Sequence, residues 1–501
     1  VSVISPDRSS LNNPSQDALP SVAAKMDCEP ESPSCCGSDL YIARQELAVD
    51  QTTAFAYHER PGCLSRLTPP WENVTVEHSD QSIEVGSRVT LKTRIAGIPL
   101  RWKARHVWYD PPNGFADVQD SGPFAHWHHQ HRFESLDHDR SCLVDSIEYR
   151  LPAGWIGRTL GGGKARRTIE AMFAYRHRIT RDDLQLIADY PMQSKTIAVS
   201  GATGLVGDAL CSMLTLLGHK VMKITRDETG DADEIAAWGK PEEIKKFEGV
   251  DAVVHLAGKP LVGKRWTPEI KEQIRESRVE KTRALCEGLA KLENKPSVFV
   301  CASATGIYGD RGEEVLDEDS ATGDSDDFLP SVAKQWEDAC SPAKEAGIRT
   351  VHTRFGIILS PDGGALEQML LPAKMMGGKL GDGKQWWSWI ALEDALGAIV
   401  HCIATPQVHG PVNFVSPEPI RNRDFARTLG RVLHRPAIFP APKFALRLAL
   451  GEMADDLLLA SFRVLPKQLQ QSGYQFRFAE LEDCLRFYLG KHRKPSQEVP
   501  A

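Results

Sequence analysis

The chain lacks what a membrane protein, a general nucleic-acid binder or a disulfide-stapled secreted domain requires. No run of about 18 apolar residues is present to span a bilayer. Basic residues are not in excess: 60 Lys and Arg stand against 67 Asp and Glu, a formal net charge of −7, which argues against nucleic acid as a partner. The 11 cysteines, among them Cys28, Cys142, Cys211, Cys301 and Cys402, are scattered without the paired spacing of a zinc site or a dense disulfide framework. A reducing, cytoplasmic location fits that usage, and no metal site is expected. The segment Val1 to Ser38 has neither a basic n-region nor an apolar h-region, so it is not a secretory signal. Its Ser, Pro and Asp content predicts a disordered tail, and Cys35-Cys36 within it reads as an incidental pair. Small molecules or proteins remain as partners.

A length of 501 residues with 41% hydrophobic content predicts two or three globular domains. Tyr41 to Tyr190 is strand-rich. Tyr41–Ala48, Ser82–Thr93, Pro99–Tyr109, Gly114–Asp120, Ala125–Leu136 and Ser141–Leu151 read as strands, with Gln51–Arg60 a short helix and Pro111-Pro112-Asn113-Gly114 a turn. Gly161-Gly162-Gly163 reads as a break, followed by a helix over Lys164–Arg178. A curved antiparallel sheet closing on that helix would enclose a cavity. Trp127, His129, His131 and Phe133 fall on one face of their strand, His126 and His128 on the other. The histidine run is read as half-solvated strand residues rather than metal ligands, because no carboxylate or cysteine sits at a fixed offset.

From Lys195 strands alternate with helices, the pattern of a doubly wound parallel sheet. Its first strand, Ile197-Ala-Val-Ser, runs into Gly201-Ala-Thr-Gly204-Leu-Val-Gly207. Gly201 permits the tight turn, Gly204 lets backbone approach a pyrophosphate, and Gly207 lets the helix pack close. Thr203, Leu205 and Val206 complete the phosphate turn at the helix N-terminus. Asp208 to Leu217 is the helix, Val221 to Thr225 the second strand. Thr225 and Arg226 stand where the ribose is read. A guanidinium suits a 2′-phosphate, so NADP(H) is favoured over NAD(H), with Asp227 on a free ribose as the alternative. Leu256, Ala257 and Gly258 end the buried strand begun at Asp251 and border the same cofactor. After about Gly410 the character shifts, and Phe444 to Phe462 with Leu465 to Tyr474 form a small lobe.

Gly201-x-x-Gly204-x-x-Gly207, Asp251-x-x-x-His255-Leu-Ala-Gly258 and Ser303-x-x-x-x-Tyr308-Gly309 together resemble the extended short-chain dehydrogenase/reductases. Arg275-Glu-Ser-Arg278-x-x-x-Thr282, Gly381-x-Gly383-x-Gln385-x-x-Ser388-Trp389-Ile390, Asn413 and Pro417-x-Pro419-Ile narrow the resemblance to the epimerase-like branch called family 39U, which has its own C-terminal domain. The N-terminal element order resembles the START-like, polyketide-cyclase-like helix-grip superfamily, which binds lipids or other apolar ligands. The expected fold is thus an α/β Rossmann doubly wound parallel sheet with a small C-terminal lobe, preceded by an α+β helix-grip domain. Boundaries are expected at residues 1–39 for the tail, 40–190 for the START-like domain, 195–435 for the nucleotide-binding domain, 436–490 for the lobe and 491–501 for a second tail.

The resemblance implies an NADP(H)-dependent oxidoreductase or epimerase acting on a carbonyl or hydroxyl carbon of a small or apolar substrate. One departure matters. Where the wider family carries Tyr-x-x-x-Lys, this chain has Pro330-Ser-Val-Ala-Lys334. Lys334 is retained for the nicotinamide ribose. Proton transfer then falls to Tyr308, to the hydroxyl of Ser303 or Thr305, to a carboxyl of the lobe or to water. Trp386, Trp387 and Trp389 offer an aromatic wall beside the nicotinamide or a seam for the lobe, and Arg278 and Arg354 offer a clamp for an acidic substrate or pair with nearby carboxylates. A non-catalytic NADP(H)-sensing protein is the alternative that loss of the tyrosine leaves open.

Overall fold

A computed structural model describes residues 38–72, 74–95, 97–225, 234–236, 241–263 and 265–491. The expectations for the tails at 1–39 and 491–501, for Cys35-Cys36, and for Arg226 and Asp227 fall outside these residues except at the margins 38–39 and 491.

The N-terminal half is a seven-stranded antiparallel sheet. Its strands are β1 (Asp39–Leu47), β2 (Thr75–Ser79), β3 (Arg88–Ile95), β4 (Ile98–Asp110), β5 (Gly114–Ser121), β6 (His126–Ser135) and β7 (Ser141–Arg150), in the order β1-β7-β6-β5-β4-β3-β2. Helix α1 (Gln51–Glu59) is capped by Asp50, whose carboxylate accepts from the Thr52 and Thr53 amides, as N-cap aspartates do. The strand expected from Ser82 begins only at Arg88, because Ser82–Gly86 forms a turn, and β2 was not anticipated. The triple glycine does not break the helix either. One helix of 36 residues, α2 (Gly154–Asp189), runs through it. Glycine costs a helix about 1 kcal/mol per residue; burial of Ile169, Phe173, Tyr175, Ile179, Leu184 and Leu186 further along offsets that cost.

The second half is a seven-stranded parallel sheet. Its strands are β8 (Thr196–Ser200), β9 (Lys220–Thr225), β10 (Glu234–Ala236), β11 (Ala252–His255), β12 (Val298–Ala304), β13 (Arg349–Phe355) and β14 (Gly410–Phe414). The order β10-β9-β8-β11-β12-β13-β14 reverses direction at β8, the switch point where such sheets bind nucleotides. Helices α3 (Leu205–Leu216), α4 (Pro268–Ala290), α5 (Phe328–Asp338) and α6 (Leu392–Ala404) cover it. The lobe after Ile438 is sewn on by short strands reaching back into the preceding chain: Phe439–Ala441 pairs with Gly377–Leu380, and Arg463–Val464 with Val315–Leu316. The expected helix from Phe444 to Phe462 is two pieces, Lys443–Leu450 and a π-helical turn Ala454–Leu459.

The two halves share one hydrophobic core. Arg66 is 9% exposed and bridges them, pairing with Asp183 of α2 at 2.9 Å and Glu393 of α6 at 2.5 Å. Arg477 of the lobe meets the same two carboxylates, and Tyr175 stacks on Phe487. None of the described helices is long and apolar enough to cross a membrane. The eight cysteines among the described residues are buried and unbridged.

Candidate nucleotide and catalytic site

The turn after β8 is built for backbone approach. Gly201 has φ +69°, and a Cβ there would lie 2.9 Å from the Leu256 carbonyl carbon and 3.0 Å from the Ala257 nitrogen. A Cβ on Gly207 would sit 2.1 Å from the Gly201 oxygen. Only glycine fits either position. Gly204 donates its amide to Gly201 O at 2.9 Å and caps α3 in extended conformation with no side-chain cap, which presents the first amides of the helix to an anion. Thr203 is exposed at this mouth. Val206 packs inward, and Leu205 leans on the Gly363-Gly364 turn. Thr225 ends β9 opposite Ala236.

A buried chain of hydrogen bonds fixes the other wall. The Ser200 hydroxyl oxygen accepts from the Leu256 and Ala257 amides at 3.1 and 3.2 Å and lies 2.7 Å from His255 Nδ1. His255 Nε2 is 3.0 Å from the Thr282 hydroxyl, which accepts from Trp336 Nε1 at 3.0 Å. Burial pushes His255 down to about 4, so the wire is neutral at physiological pH. It ties the glycine turn to α4 and to α5, the helix that carries Lys334. Lys334 itself is exposed, while Pro330 is buried against the Tyr308-Gly309 turn.

The hydroxyls expected to move protons are engaged elsewhere. Ser303 donates to Glu337 at 2.7 Å. Arg354 holds both oxygens of Glu337 at 2.8 Å and donates to the Tyr308 oxygen at 2.9 Å. Tyr308 donates to Asn413 Oδ1 at 2.9 Å, and Asn413 Nδ2 donates to Leu465 O in the lobe. Tyr308 is fully buried, and burial raises its phenol above the usual value. Thr305 donates to Phe355 O at 3.3 Å. Arg354 is therefore paired with a carboxylate, Glu337, rather than left free to face a substrate. Arg278 differs. It donates to Lys259 O and Ile274 O, lies over Trp336 at 5.0 Å, and its guanidinium faces Gly258. Among the described residues no carboxylate pairs with it, and burial pushes it down to about 10.

The tryptophans form the seam. Trp387 and Trp389 are buried, and Trp386 packs against the guanidinium groups of Arg421 and Arg463, which is the seam of the two expected alternatives. Gln385 donates to Leu458 O at 2.9 Å, and the Ser388 hydroxyl bonds Phe462 O and Val464 N. These motif residues hold the lobe to the sheet. The lobe in turn presents Asp456, on the π-helical turn, half-buried. Burial, then the nearby Glu452, raises its carboxyl to about 6, with Lys271 of α4 and Asp327 at the start of α5 within electrostatic reach. Sequence reasoning singled out neither Asp456 nor Glu337: the one signal for the former is an Asp455-Asp456 pair inside an apolar run.

A parallel sheet reversing at a glycine turn, with an open helix N-terminus and a lobe over the strand ends, defines a nucleotide-binding protein of the short-chain dehydrogenase/reductase type. Residues 197–414 match the NAD dependent epimerase/dehydratase family, residues 47–173 the polyketide cyclase/dehydrase and lipid transport family, and residues 441–487 a domain of unknown function, DUF1731. The epimerase family protein YfhF of Bacillus subtilis is 39% identical over 297 residues, 58% of this chain and 96% of that protein. A crystal structure of a nucleoside-diphosphate sugar epimerase from Corynebacterium glutamicum is 30% identical and covers 90% of both chains, with TM-score 0.70. That of human epimerase family protein SDR39U1 with NADPH is 31% identical over 59% of this chain and 99% of that one, with TM-score 0.55. The chain belongs to the NAD(P)-dependent epimerase family of short-chain dehydrogenase/reductases, with SDR39U1-like homologues.

Proposed function

We propose that the protein is an NADP(H)-dependent oxidoreductase or epimerase whose proton-transfer group is a lobe carboxyl rather than the family's tyrosine. The observation that carries it is the steric cradle at Gly201 and Gly207, where any side chain would collide with backbone, beside an uncapped helix N-terminus. The human relative solved with NADPH supports the same nucleotide here, with Arg226 on its 2′-phosphate and Lys334 on the nicotinamide ribose. The amides at the start of α3 hold the pyrophosphate, and Leu256, Ala257 and Gly258 line the opposite side. The bound nicotinamide supplies hydride chemistry. Arg278, a half-buried cation that pairs with no carboxylate among the described residues, faces Gly258 and holds an anionic group of the substrate. Asp456, protonated below about 6, gives and takes the proton at the reacting oxygen. Ser303, Tyr308 and Arg354 position β12, β13 and the lobe. Residues 40–190 and 436–490 serve as ligand-capturing and substrate-closing units around this centre.

Mass spectrometry of small molecules released on denaturing fresh protein tests the reading: NADP(H) with a carbonyl or hydroxyl compound is expected. No released nucleotide, together with no NADPH binding by titration, would overturn it. Arg226→Ala should weaken NADPH about 10- to 100-fold, the worth of a charged hydrogen bond, and leave NADH unchanged. With the released compound as substrate, Asp456→Asn should lower kcat by about 100-fold or more at unchanged KM. It should also abolish the fall in rate as pH rises through about 6; an intact profile would remove Asp456 from the chemistry.

A further inference from the structure

The inner face of the antiparallel sheet gathers ionisable groups that the nucleotide site does not use. Asp117 on β5 is the cross-strand partner of His129 on β6, and His131 lies two residues further along the same face. One ligand atom from each of these three side chains can be chosen so that all lie within 4.8 Å of one another. His129 Nδ1 stands 3.4 Å from Asp117 Oδ1, and ligands about 2.0–2.1 Å from a tetrahedral ion are spaced about 3.3 Å apart. The other nitrogen of His129, Nε2, meets Asp145 Oδ1 at 3.1 Å, and His177 Nε2 meets the second oxygen of Asp145 at 2.5 Å. That is the outer-shell pattern of metal-ligating histidines, in which a carboxylate fixes the ring and leaves the far nitrogen to the ion. His131 Nδ1, also buried, lies 2.6 Å from Asp145 Oδ1, so the same carboxylate holds both rings.

We infer that Asp117, His129 and His131 form a site for a divalent ion of the zinc class, oriented by Asp145 and His177. Two imidazoles and a carboxylate select a borderline transition metal over calcium or magnesium, which prefer all-oxygen sets. Three protein ligands leave coordination positions open for a ligand. The walls are apolar on one side, with Phe115 stacked on His131 at 4.2 Å and Phe173 edge-on to His129 at 5.2 Å. The Asp117 side chain is 17% exposed and that of His131 12%, which leaves a way in.

The full chain, free of affinity tag and stripped with chelator, is titrated with Co²⁺ and then Zn²⁺. One tight equivalent of Co²⁺ is expected, displaced by Zn²⁺ and indifferent to excess Mg²⁺, with visible d–d bands and no thiolate charge-transfer band. Asp117→Asn and His131→Gln should each weaken it at least about tenfold, and Asp145→Asn about 10- to 100-fold as an outer-shell change, with far-UV circular dichroism checking the fold. Three results would overturn the site: no binding by the wild-type chain, a thiolate band that moves the ion to cysteine, or undiminished binding in a folded Asp117→Asn/His131→Gln double variant. The wild-type spectrum decides the ligand class even where a variant fails to fold.

Discussion

The two seven-stranded sheets treat ionisable side chains in opposite ways. The antiparallel sheet buries them on its face: His129 and Asp145 are at most 3% exposed, and they are surrounded by Asp117, His131, His58 and His177. The parallel sheet keeps the faces of β8 and β11 apolar, with Ile197, Ala198, Val199, Ala252, Val253 and Val254 fully buried. It sets its polar groups, Ser200, His255, Ser303 and Arg354, towards the carboxyl ends of the strands. Register explains the difference. Antiparallel pairing puts Asp117 opposite His129 and Asp145 opposite His131, so charges on a face find partners within the same sheet. A strand covered by helices on both faces offers few partners there; Thr353, whose hydroxyl donates to Cys301 O at 3.2 Å, finds one within the sheet, but Ser200, His255, Ser303 and Arg354 are satisfied where strands end and loops begin. Chemistry therefore sits on a face in one half and at an edge in the other.

Asp145→Ala attacks that contrast most severely. Burial alone would raise the Asp145 carboxyl, but the imidazoles gathered on it hold it well below the usual carboxylate range. Removing it leaves His129, whose proton affinity is raised against burial by its hydrogen bonds to Asp117 and Asp145, partly unpaired. A loss of about 3–5 kcal/mol is expected, read from denaturant midpoints, and a loss under about 1 kcal/mol would mean the face is wet. Next comes acid sensitivity. His255 is held down at about 4, so the unfolded chain binds its proton first as pH falls below about 6.5. Its stabilising effect is complete above that pH and is lost as pH falls through about 4, up to about 3 kcal/mol. His255→Asn should flatten that part of the stability curve, and an unchanged slope would place the acid sensitivity on the other sheet.

Smaller effects should follow at the edge of the parallel sheet. Gly207→Ala forces a methyl group onto the Gly201 oxygen, and overpacking of this kind costs about 1–3 kcal/mol. NADPH affinity should fall with it, and a variant that binds NADPH normally would mean the turn can relax. Ser200→Ala removes the acceptor of the half-buried Ala257 amide and one of the two acceptors of the Leu256 amide, which keeps the Ser200 backbone oxygen; a loss of about 1 kcal/mol is expected, measurable as a lowered Tm. Lys334→Ala is expected to change stability by less than about 0.5 kcal/mol, as exposed substitutions do, while weakening NADPH. A stability loss there would assign the lysine to packing instead of the nucleotide.

Local chemistry made some elements legible before any coordinates. The glycine turn is readable because φ +69° at Gly201 and the contact at Gly207 exclude every other residue, so the requirement is written in the residue type. The alternation sets Trp127, His129 and Phe133 on one face of β6, but the histidines read as half-solvated, and that His129 is buried on this face comes only with the structure. The helix through Gly161-Gly162-Gly163 was not legible, because the packing that outweighs three glycines involves partners far along the chain.

The amino-acid sequence by itself determined the alternation of strands and helices after Lys195, the glycine turn that follows the first of those strands and the absence of the tyrosine at Pro330, because each rests on a short-range pattern, on backbone conformation or on the identity of a single residue. Tertiary structure decided what the remaining polar side chains do. It joined Arg354 to Glu337 and Tyr308 to Asn413, left Arg278 beside Gly258 with no carboxylate partner among the described residues, turned the tryptophans into a seam and set Asp117 against His129. Those roles depend on which distant group arrives within about 3 Å, the reach of a hydrogen bond, and spacing along the chain carries no record of that distance.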